Sequence, residues 1–321
     1  MNMWEEAPKA SLFGIQVYSF GLYCAIGALA AAAAICILSC VSGRKKGTGV
    51  MLACLSILCG IGGARLFFCL LKAPGTGAVR FSWWFNITSG GFSLFGMILG
   101  VFFAAWICAK MTGEKSASLL DTVSCAIPLA IAAERIGERL FDGFDVSRTV
   151  KGAFPAGTFL AVENTFYGTS SLATWLVSAI LAIVLFLFLT FRLLKKDQQE
   201  GDQWIVFLMM CGAGGVILES LRYDYHLEYS FVYFQQIIAA LMLLWGLILA
   251  GRRRKRKGMF IISVCSFVIA AAICGGVEFA LDRMNINHIL LYFIMTAALA
   301  VPVTLGMILL SGRSGKGTES T

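Results

Sequence analysis

Nine long apolar runs divide this chain, and no other feature constrains its fold as strongly. Crossing a hydrocarbon layer about 30 Å thick takes about 20 helical residues, because each residue adds about 1.5 Å of rise. Most of the runs reach that length, whereas the fourth and sixth are marginal and end in charged clusters. The predicted spans are 17–40, 49–71, 91–110, 118–135, 170–194, 203–220, 230–250, 259–281 and 289–311.

The composition agrees with a membrane protein and leaves little room for a soluble domain. Hydrophobic residues make up 59% of the chain and charged residues only 14%, where soluble proteins carry about 25% charged residues. The net charge of +8 could suggest a nucleic-acid partner. The basic residues, however, sit in short blocks between apolar runs, so we expect contact with membrane lipids and no nucleic acid. We predict an all-α, polytopic transmembrane bundle.

Lysine and arginine predict the orientation of this bundle. With the N-terminus outside, sixteen of these residues fall in inside segments and nine in outside segments. Positive charge favours the cytoplasmic side, so we predict an N-out, C-in topology. The basic block 252–257 is then expected to stop transfer and to contact anionic lipid.

Many glycines fall inside the predicted spans, and we expect them to allow close helix packing, because small residues let backbones approach. They are Gly60, Gly62, Gly63, Gly96, Gly100, Gly212, Gly214 and Gly215. We see no internal repeat of the kind found in transporters with two halves.

Three charged groups lie in or at the ends of spans, where ionisable side chains are costly and suggest function. They are Arg65, the segment 134–139, and Glu219 with Arg222. The second, fourth and sixth spans run in the same direction, so these groups share a similar depth near the outer interface. Two interpretations stay open. The groups form snorkelling side chains and interhelical ion pairs, or the arginines bind phosphate, whose oxygens match guanidinium forks. The second predicts a site for a phospholipid headgroup.

Several fragments between residues 12 and 250 together resemble one known family. They are Leu12–Ile15 leading to Phe20–Leu22, Gly62–Arg65, Ser89–Gly100, Asp121 with Ile127–Pro128, Glu134–Gly143, Gly212–Asp224, and Gln236. On these residues the chain resembles the bacterial prolipoprotein diacylglyceryl transferases. The resemblance implies a seven-helix transferase-like domain over 1–251. Residues 252–321 then add a basic loop, two further helices and a short tail.

The resemblance also implies an activity. Family members transfer diacylglyceryl from phosphatidylglycerol to the thiol of a lipobox cysteine in a prolipoprotein signal peptide, and release glycerol phosphate. A multi-pass protein of the bacterial cytoplasmic membrane is expected, with no cofactor. No metal is expected either, because the cysteines lack CxxC spacing and the chain has only two histidines.

The matching positions imply the site residues. Arg135 and Arg222 are expected to stabilise the departing phosphate, with Arg65 as a deeper helper or a helix tie. Glu219 is expected to orient Arg222. The predicted catalytic residues are Arg135 and Arg222, which match the family, and Glu138, which does not; the predicted substrate-binding residues are Arg65, Gly90, Gly91, Gly96, Gly137, Glu219 and Gln236.

Some positions depart from the family pattern. Phe95 stands where the family has a histidine, and Glu138 and Phe141 stand where its signature has asparagines. Thiolate is the nucleophile in such chemistry, so a proton acceptor is needed, and we consider Glu138 and His226 for that role. The alternatives are a paralogue that binds phospholipid or preprotein without transfer and, from another class, a lipid transporter.

Overall fold

The structure is a computed structural model, and it describes most of the chain in ten segments. These are residues 10–12, 15–76, 91–138, 159–164, 169–195, 198–222, 228–229, 232–254, 256–284 and 286–311. Gly90 and His226 lie outside the described residues, as do residues 139–143 of the segment that resembles the family signature.

Within these segments, nine helices are long and apolar enough to cross a membrane, which confirms the predicted helical class. They are α1 Ser19–Val41, α2 Thr48–Thr76, α3 Leu94–Thr112, α4 Ser116–Glu138, α5 Thr174–Leu194, α6 Asp202–Leu221, α7 Phe234–Arg254, α8 Lys257–Arg283 and α9 His288–Ser311. Three antiparallel hairpins, which we did not predict, accompany them. They pair β1 Ala10–Leu12 with β2 Ile15–Val17, β3 Ala161–Asn164 with β4 Thr169–Leu172, and β5 Glu228–Tyr229 with β6 Val232–Tyr233.

The hairpins and one turn explain why three helices begin later than predicted. The span predicted from 170 starts inside β4, and the span predicted from 230 starts two residues ahead of β6, whereas α5 and α7 begin only after these strands. Helix α3 begins at Leu94 instead of residue 91, because Gly91 has a φ of 80° and Ser93 caps the helix. The Ser93 hydroxyl accepts the Gly96 N–H at 3.4 Å. A hydropathy pattern does not reflect backbone hydrogen bonding or helix capping.

One compact unit contains α1 to α4, most of α5 and the first residues of α6. Its α2–α3 interface is built on glycine. A Cβ on Gly63 would lie 2.9 Å from the Cα of Gly100, and one on Gly100 would overlap the Cys59 carbonyl. The two backbones therefore touch directly, as expected for small residues at membrane helix interfaces.

Polar contacts join the helices of this unit at the opposite end from Arg65 and Arg135. The Arg44 guanidinium donates to the Ser118 hydroxyl at 3.0 Å and to Thr122, and it pairs with Glu114 at 3.5 Å. Burial lowers the pKa of Arg44, and the carboxylate of Glu114 opposes that shift. This arginine therefore ties the loop after α1 to α4 and to the α3–α4 connection.

Asp121 links α4 to the beginning of α6. Its carboxylate accepts the backbone N–H of Trp204 at 3.0 Å and that of Gly201. The first N–H groups of a helix have no acceptor within the helix. The Asp121 carboxylate provides such an acceptor from a distant part of the sequence.

The second compact unit contains the rest of α6 together with α7, α8 and α9. Helix α6 packs closely on α7, since a Cβ on Gly212 would lie 2.7 Å from the Ala239 carbonyl oxygen. Helix α9 packs on α7 as well, with Gly306 against Leu247, and Gly251 of α7 faces Phe260 of α8. The two C-terminal helices therefore share a packed core with α6 and α7.

The expectation that span glycines mediate packing is wrong at two positions. A Cβ added at Gly62 or Gly214 would meet nothing within 4 Å. These glycines lie on open helix faces, whereas Gly63 and Gly212, one and two positions away, lie at the interfaces. One helical residue turns the chain by about 100°, so adjacent glycines face different directions.

Polar and apolar side chains are distributed inside out relative to a soluble protein. Leu58 and Phe293 are 69% and 71% exposed, while Arg135 and Glu219 are 6% and 3% exposed. Exposed apolar surface of this extent on long helices matches a hydrocarbon surrounding. The chain is therefore a multi-pass membrane protein.

Candidate active site

The end of α4 carries a buried ion pair. Arg135 Nη1 donates to Glu138 Oε1 at 2.7 Å, and Arg135 Nε lies 3.3 Å from Glu134 Oε2. Helix α4 continues through Glu138, beyond the predicted end at 135, and so places Arg135 and Glu138 one turn apart on one face. A guanidinium held this way has a fixed direction, which is what recognition of a phosphate requires.

Gly137 lies within this turn and faces α1. A Cβ at this position would lie 3.0 Å from the Tyr23 Cβ and 3.1 Å from the Phe20 ring. Any larger residue would push α1 away from the end of α4. Gly137 therefore supports the charged turn through packing.

Arg65 ties α2 to the segment that precedes α3. Its Nη1 donates to the Gly91 carbonyl oxygen at 2.9 Å, and its guanidinium lies 5.8 Å from the ring centroids of both Phe68 and Phe92. These distances are within the range of cation–π attraction. A contact of this kind corresponds to the helix tie, one of the two roles considered for Arg65. Gly91 is required here, because its φ is positive and a Cβ would collide with the Phe68 ring.

Gly96 lies at the α2–α3 contact, where a Cβ would meet the Gly63 carbonyl and lie 2.5 Å from the Phe67 Cβ. Its neighbour Phe95, at the position of the family histidine, is buried. A phenyl ring has no group that accepts a proton. Any proton acceptor must therefore come from another residue.

The second compact unit carries the other predicted residues, at the end of α6 and the beginning of α7. Glu219 and Arg222 are both buried, at 3% and 7% exposure. The Gln235 amide, with its nitrogen turned toward Glu219, donates to that carboxylate. Glu219 therefore has a partner on α7.

Gln236, another predicted site residue, forms hydrogen bonds through both the oxygen and the nitrogen of its side-chain amide. Its Oε1 accepts the Tyr233 N–H at 3.0 Å, and its Nε2 donates to the Val216 carbonyl at 3.2 Å and to Glu278 Oε1 at 2.7 Å. Glu278 is a buried carboxylate on α8.

Three residues that make contacts in this region were not predicted from the sequence: Gln235, Glu278 and Tyr292. For Glu278 a signal was present, because an acidic residue inside the eighth span is as costly as those inside the fourth and sixth. The predicted topology also gives the eighth span the same direction as those two spans. Gln235 and Tyr292 are uncharged, and only their tertiary contacts distinguish them.

Comparison with known proteins identifies the family of this chain. The family model for prolipoprotein diacylglyceryl transferase matches residues 8–252, which is well over half of the chain. The chain belongs to the prolipoprotein diacylglyceryl transferase family. Helices α1 to α6 lie within the matched residues and α7 extends two residues beyond them, whereas α8 and α9 follow the match.

Curated relatives agree with this family. One from Clostridium tetani, named phosphatidylglycerol–prolipoprotein diacylglyceryl transferase, is 25% identical over 249 residues, covering 77% of this chain and 97% of the relative. One from Clostridium perfringens, named phosphatidylglycerol–prolipoprotein diacylglyceryl transferase 2, is 22% identical over 241 residues, covering 74% and 91%. At this level of identity, departures from the family pattern at single positions such as Phe95 and Glu138 are expected.

Proposed function

We propose that this protein transfers the diacylglyceryl group of phosphatidylglycerol to the thiol of a lipobox cysteine in a prolipoprotein signal peptide. The observation that carries the proposal is the buried pair of Arg135 and Glu138, at 2.7 Å, in the segment that resembles the signature of this transferase family. Burying an arginine beside an acyl-chain environment is costly. A phosphate ligand supplies a reason to keep one there.

The proposed reaction is a substitution at carbon. The cysteine thiolate attacks the diacylglyceryl carbon that is bonded to a phosphate oxygen. A carbon–sulfur bond forms, the carbon–oxygen bond breaks, and glycerol phosphate leaves with the bonding electrons. Two things are required of the protein, namely fixed positive charge at the departing phosphate and an acceptor for the thiol proton.

Arg135 and Arg222 are proposed to stabilise the departing phosphate, with Arg65 supporting them from α2. Glu219, held by Gln235, is proposed to orient Arg222. Glu138 is proposed to accept the thiol proton while it also holds Arg135, since a buried carboxylate is able to act as a general base. His226 is the second candidate for this proton.

The remaining predicted residues are proposed to shape the lipid site. Gly90, Gly91 and Gly96 would line it before and within α3, and Gly137 and Gln236 would line it near α4 and α7. We further propose that the site opens at the outer face of the bacterial cytoplasmic membrane, with the N-terminus outside and the C-terminus inside. Residues 1–251 would form the transferase domain and residues 252–321 an addition to it.

A second candidate function is binding of phospholipid or preprotein without transfer. Buried Phe95 at the histidine position favours it, because this substitution removes the most obvious proton acceptor. The two candidates differ in one product, the lipidated peptide.

The test is lipid labelling of a lipobox peptide by membranes that contain the protein. Wild-type membranes are expected to label the peptide, and Arg135→Ala is expected to abolish labelling. Arg283→Ala is the matched control, because Arg283 is 72% exposed and lies on the same predicted side of the membrane. Labelling at the wild-type rate by Arg135→Ala would remove Arg135 from the site. An inactive wild-type protein that still binds phosphatidylglycerol would favour binding without transfer.

A further inference from the structure

The two helices beyond the family match contribute a buried carboxylate to the predicted site region. Glu278 lies on α8, is 2% exposed, and contacts Gln236 at 2.7 Å. The family match ends at residue 252, so Glu278 lies outside the matched part of the chain. A carboxylate in an apolar surrounding is expensive unless it is hydrogen-bonded. Glu278 is therefore a functional candidate in the extension.

The hydrogen bonds of Gln236 fix the direction of its amide. The Tyr233 N–H can only donate, so the Gln236 oxygen must face it, and the amide nitrogen faces the other way. That nitrogen has two hydrogens, and its two acceptors are the Val216 carbonyl and Glu278. Glu278 thus completes the hydrogen bonding of Gln236, and without it a buried N–H would lack its acceptor.

A second contact links the extension to the same region. The Tyr292 hydroxyl of α9 donates to the Ser220 carbonyl oxygen at 3.0 Å. Ser220 is next to the last residue of α6, and the last four carbonyls of a helix have no partner within the helix. Tyr292 therefore caps the helix end that carries Glu219 and precedes Arg222.

We propose that the C-terminal extension is part of the lipid site, with Glu278 as a positioning residue for Gln236 and Tyr292 as a positioning residue for the end of α6. This inference rests on the proposed transferase function and adds a source of substrate affinity to it. Phosphatidylglycerol is the ligand of this proposal. The end of α6 and the beginning of α7 carry Arg222 and Gln236, the arginine and the glutamine that are predicted to contact it.

The test measures KM for phosphatidylglycerol and Vmax of lipobox-peptide lipidation with the full-length protein in mixed micelles. Glu278→Leu removes the acceptor, whereas Glu278→Gln keeps an acceptor oxygen. The loss of one hydrogen bond to a charged group corresponds to roughly 10- to 100-fold. We therefore expect KM to rise about 10- to 100-fold in Glu278→Leu and to stay within about fivefold in Glu278→Gln. Asp282→Leu, on the same helix with Asp282 half exposed, is expected to leave KM unchanged.

A double variant tests whether Glu278 acts through Gln236. If it does, Gln236→Leu combined with Glu278→Leu raises KM no further than the larger single change, because the two variants remove the same contact. Additive effects would overturn this route. Tyr292→Phe serves where Glu278→Leu does not fold, and it is expected to raise KM roughly 2- to 10-fold, as loss of a neutral hydrogen bond implies.

The outcomes separate a positioning role from a merely structural one. A structural defect lowers the amount of active protein, so it lowers Vmax and leaves KM unchanged, and that result would overturn the inference alone. An inactive wild-type protein would overturn the proposed function and this inference with it. An active wild type with raised KM in Glu278→Leu and recovery in Glu278→Gln supports both.

Discussion

Replacing Glu138 with glutamine separates the two proposed roles of this carboxylate, which are to hold Arg135 and to accept the thiol proton. Glu138 Oε1 accepts a hydrogen bond from Arg135 at 2.7 Å, and both side chains are at most 10% exposed. Glutamine keeps an acceptor oxygen of nearly the same shape but loses the charge. A hydrogen bond to a charged group contributes about 1.5–3 kcal/mol and a neutral one about 0.5–1.5 kcal/mol. We therefore expect the free energy of unfolding to fall by only about 1–1.5 kcal/mol.

The expected effect of Glu138→Gln on catalysis is much larger. General-base catalysis contributes about 10²- to 10⁴-fold, so kcat for lipidation of a lipobox peptide should fall by at least about 100-fold. The assay follows lipidated peptide at several pH values, beside thermal unfolding of the same preparation in detergent. Glu134→Gln is the matched control. Its carboxylate is 27% exposed and lies 3.3 Å from Arg135 Nε, so this variant should lose less than about tenfold.

Turnover of Glu138→Gln that equals the wild-type value at every pH would refute the reasoning on proton transfer. Arg135 would then keep its place at the phosphate, and the proton would have another acceptor. Equal losses in Glu138→Gln and Glu134→Gln would also count against Glu138 as the base, since they would report only a weakened hold on Arg135.

Two further predictions concern stability. Gly100→Ala should lower the free energy of unfolding by about 1–3 kcal/mol, because its Cβ would overlap the Cys59 carbonyl. Gly62→Ala is the control, because its Cβ would meet nothing within 4 Å, and it should change the free energy of unfolding by less than about 0.5 kcal/mol. Equal unfolding temperatures for the two variants would contradict the described α2–α3 contact. Asp121→Ala should lower the free energy of unfolding by about 2–6 kcal/mol, because it leaves the buried Gly201 N–H and the partly buried Trp204 N–H without this acceptor, at about 1–3 kcal/mol each. Asp121→Asn should cost less. Hydrogen exchange at Trp204 that is no faster in Asp121→Ala than in the wild type would contradict this.

The sequence allowed the helices to be placed but not all of their ends. Apolar runs locate a membrane helix because length and hydropathy decide whether a segment spans. They do not register a strand, so the start of α5 was predicted four residues early, inside β4. The beginning of α3 depends on the backbone of Gly91 and the side chain of Ser93, which a hydropathy pattern ignores.

Local spacing accounts for one contact of the candidate site. Arg135 and Glu138 are three residues apart, so a continuous helix was enough to pair them. Glu278 and Gln236 are 42 residues apart, and no periodicity relates positions so distant on different helices. The acidic residue inside the eighth span was visible in the sequence but was not singled out, whereas identifying its partner required the tertiary structure.

The most direct test of the proposed transfer is a mass measurement on a lipobox peptide incubated with purified protein and phosphatidylglycerol. The peptide is expected to gain one diacylglyceryl group, carried by the cysteine through a thioether, and to gain nothing when that cysteine is replaced by serine. No gain is expected with Arg135→Ala. An unmodified peptide in the presence of folded wild-type protein with bound phosphatidylglycerol would contradict the proposed transfer.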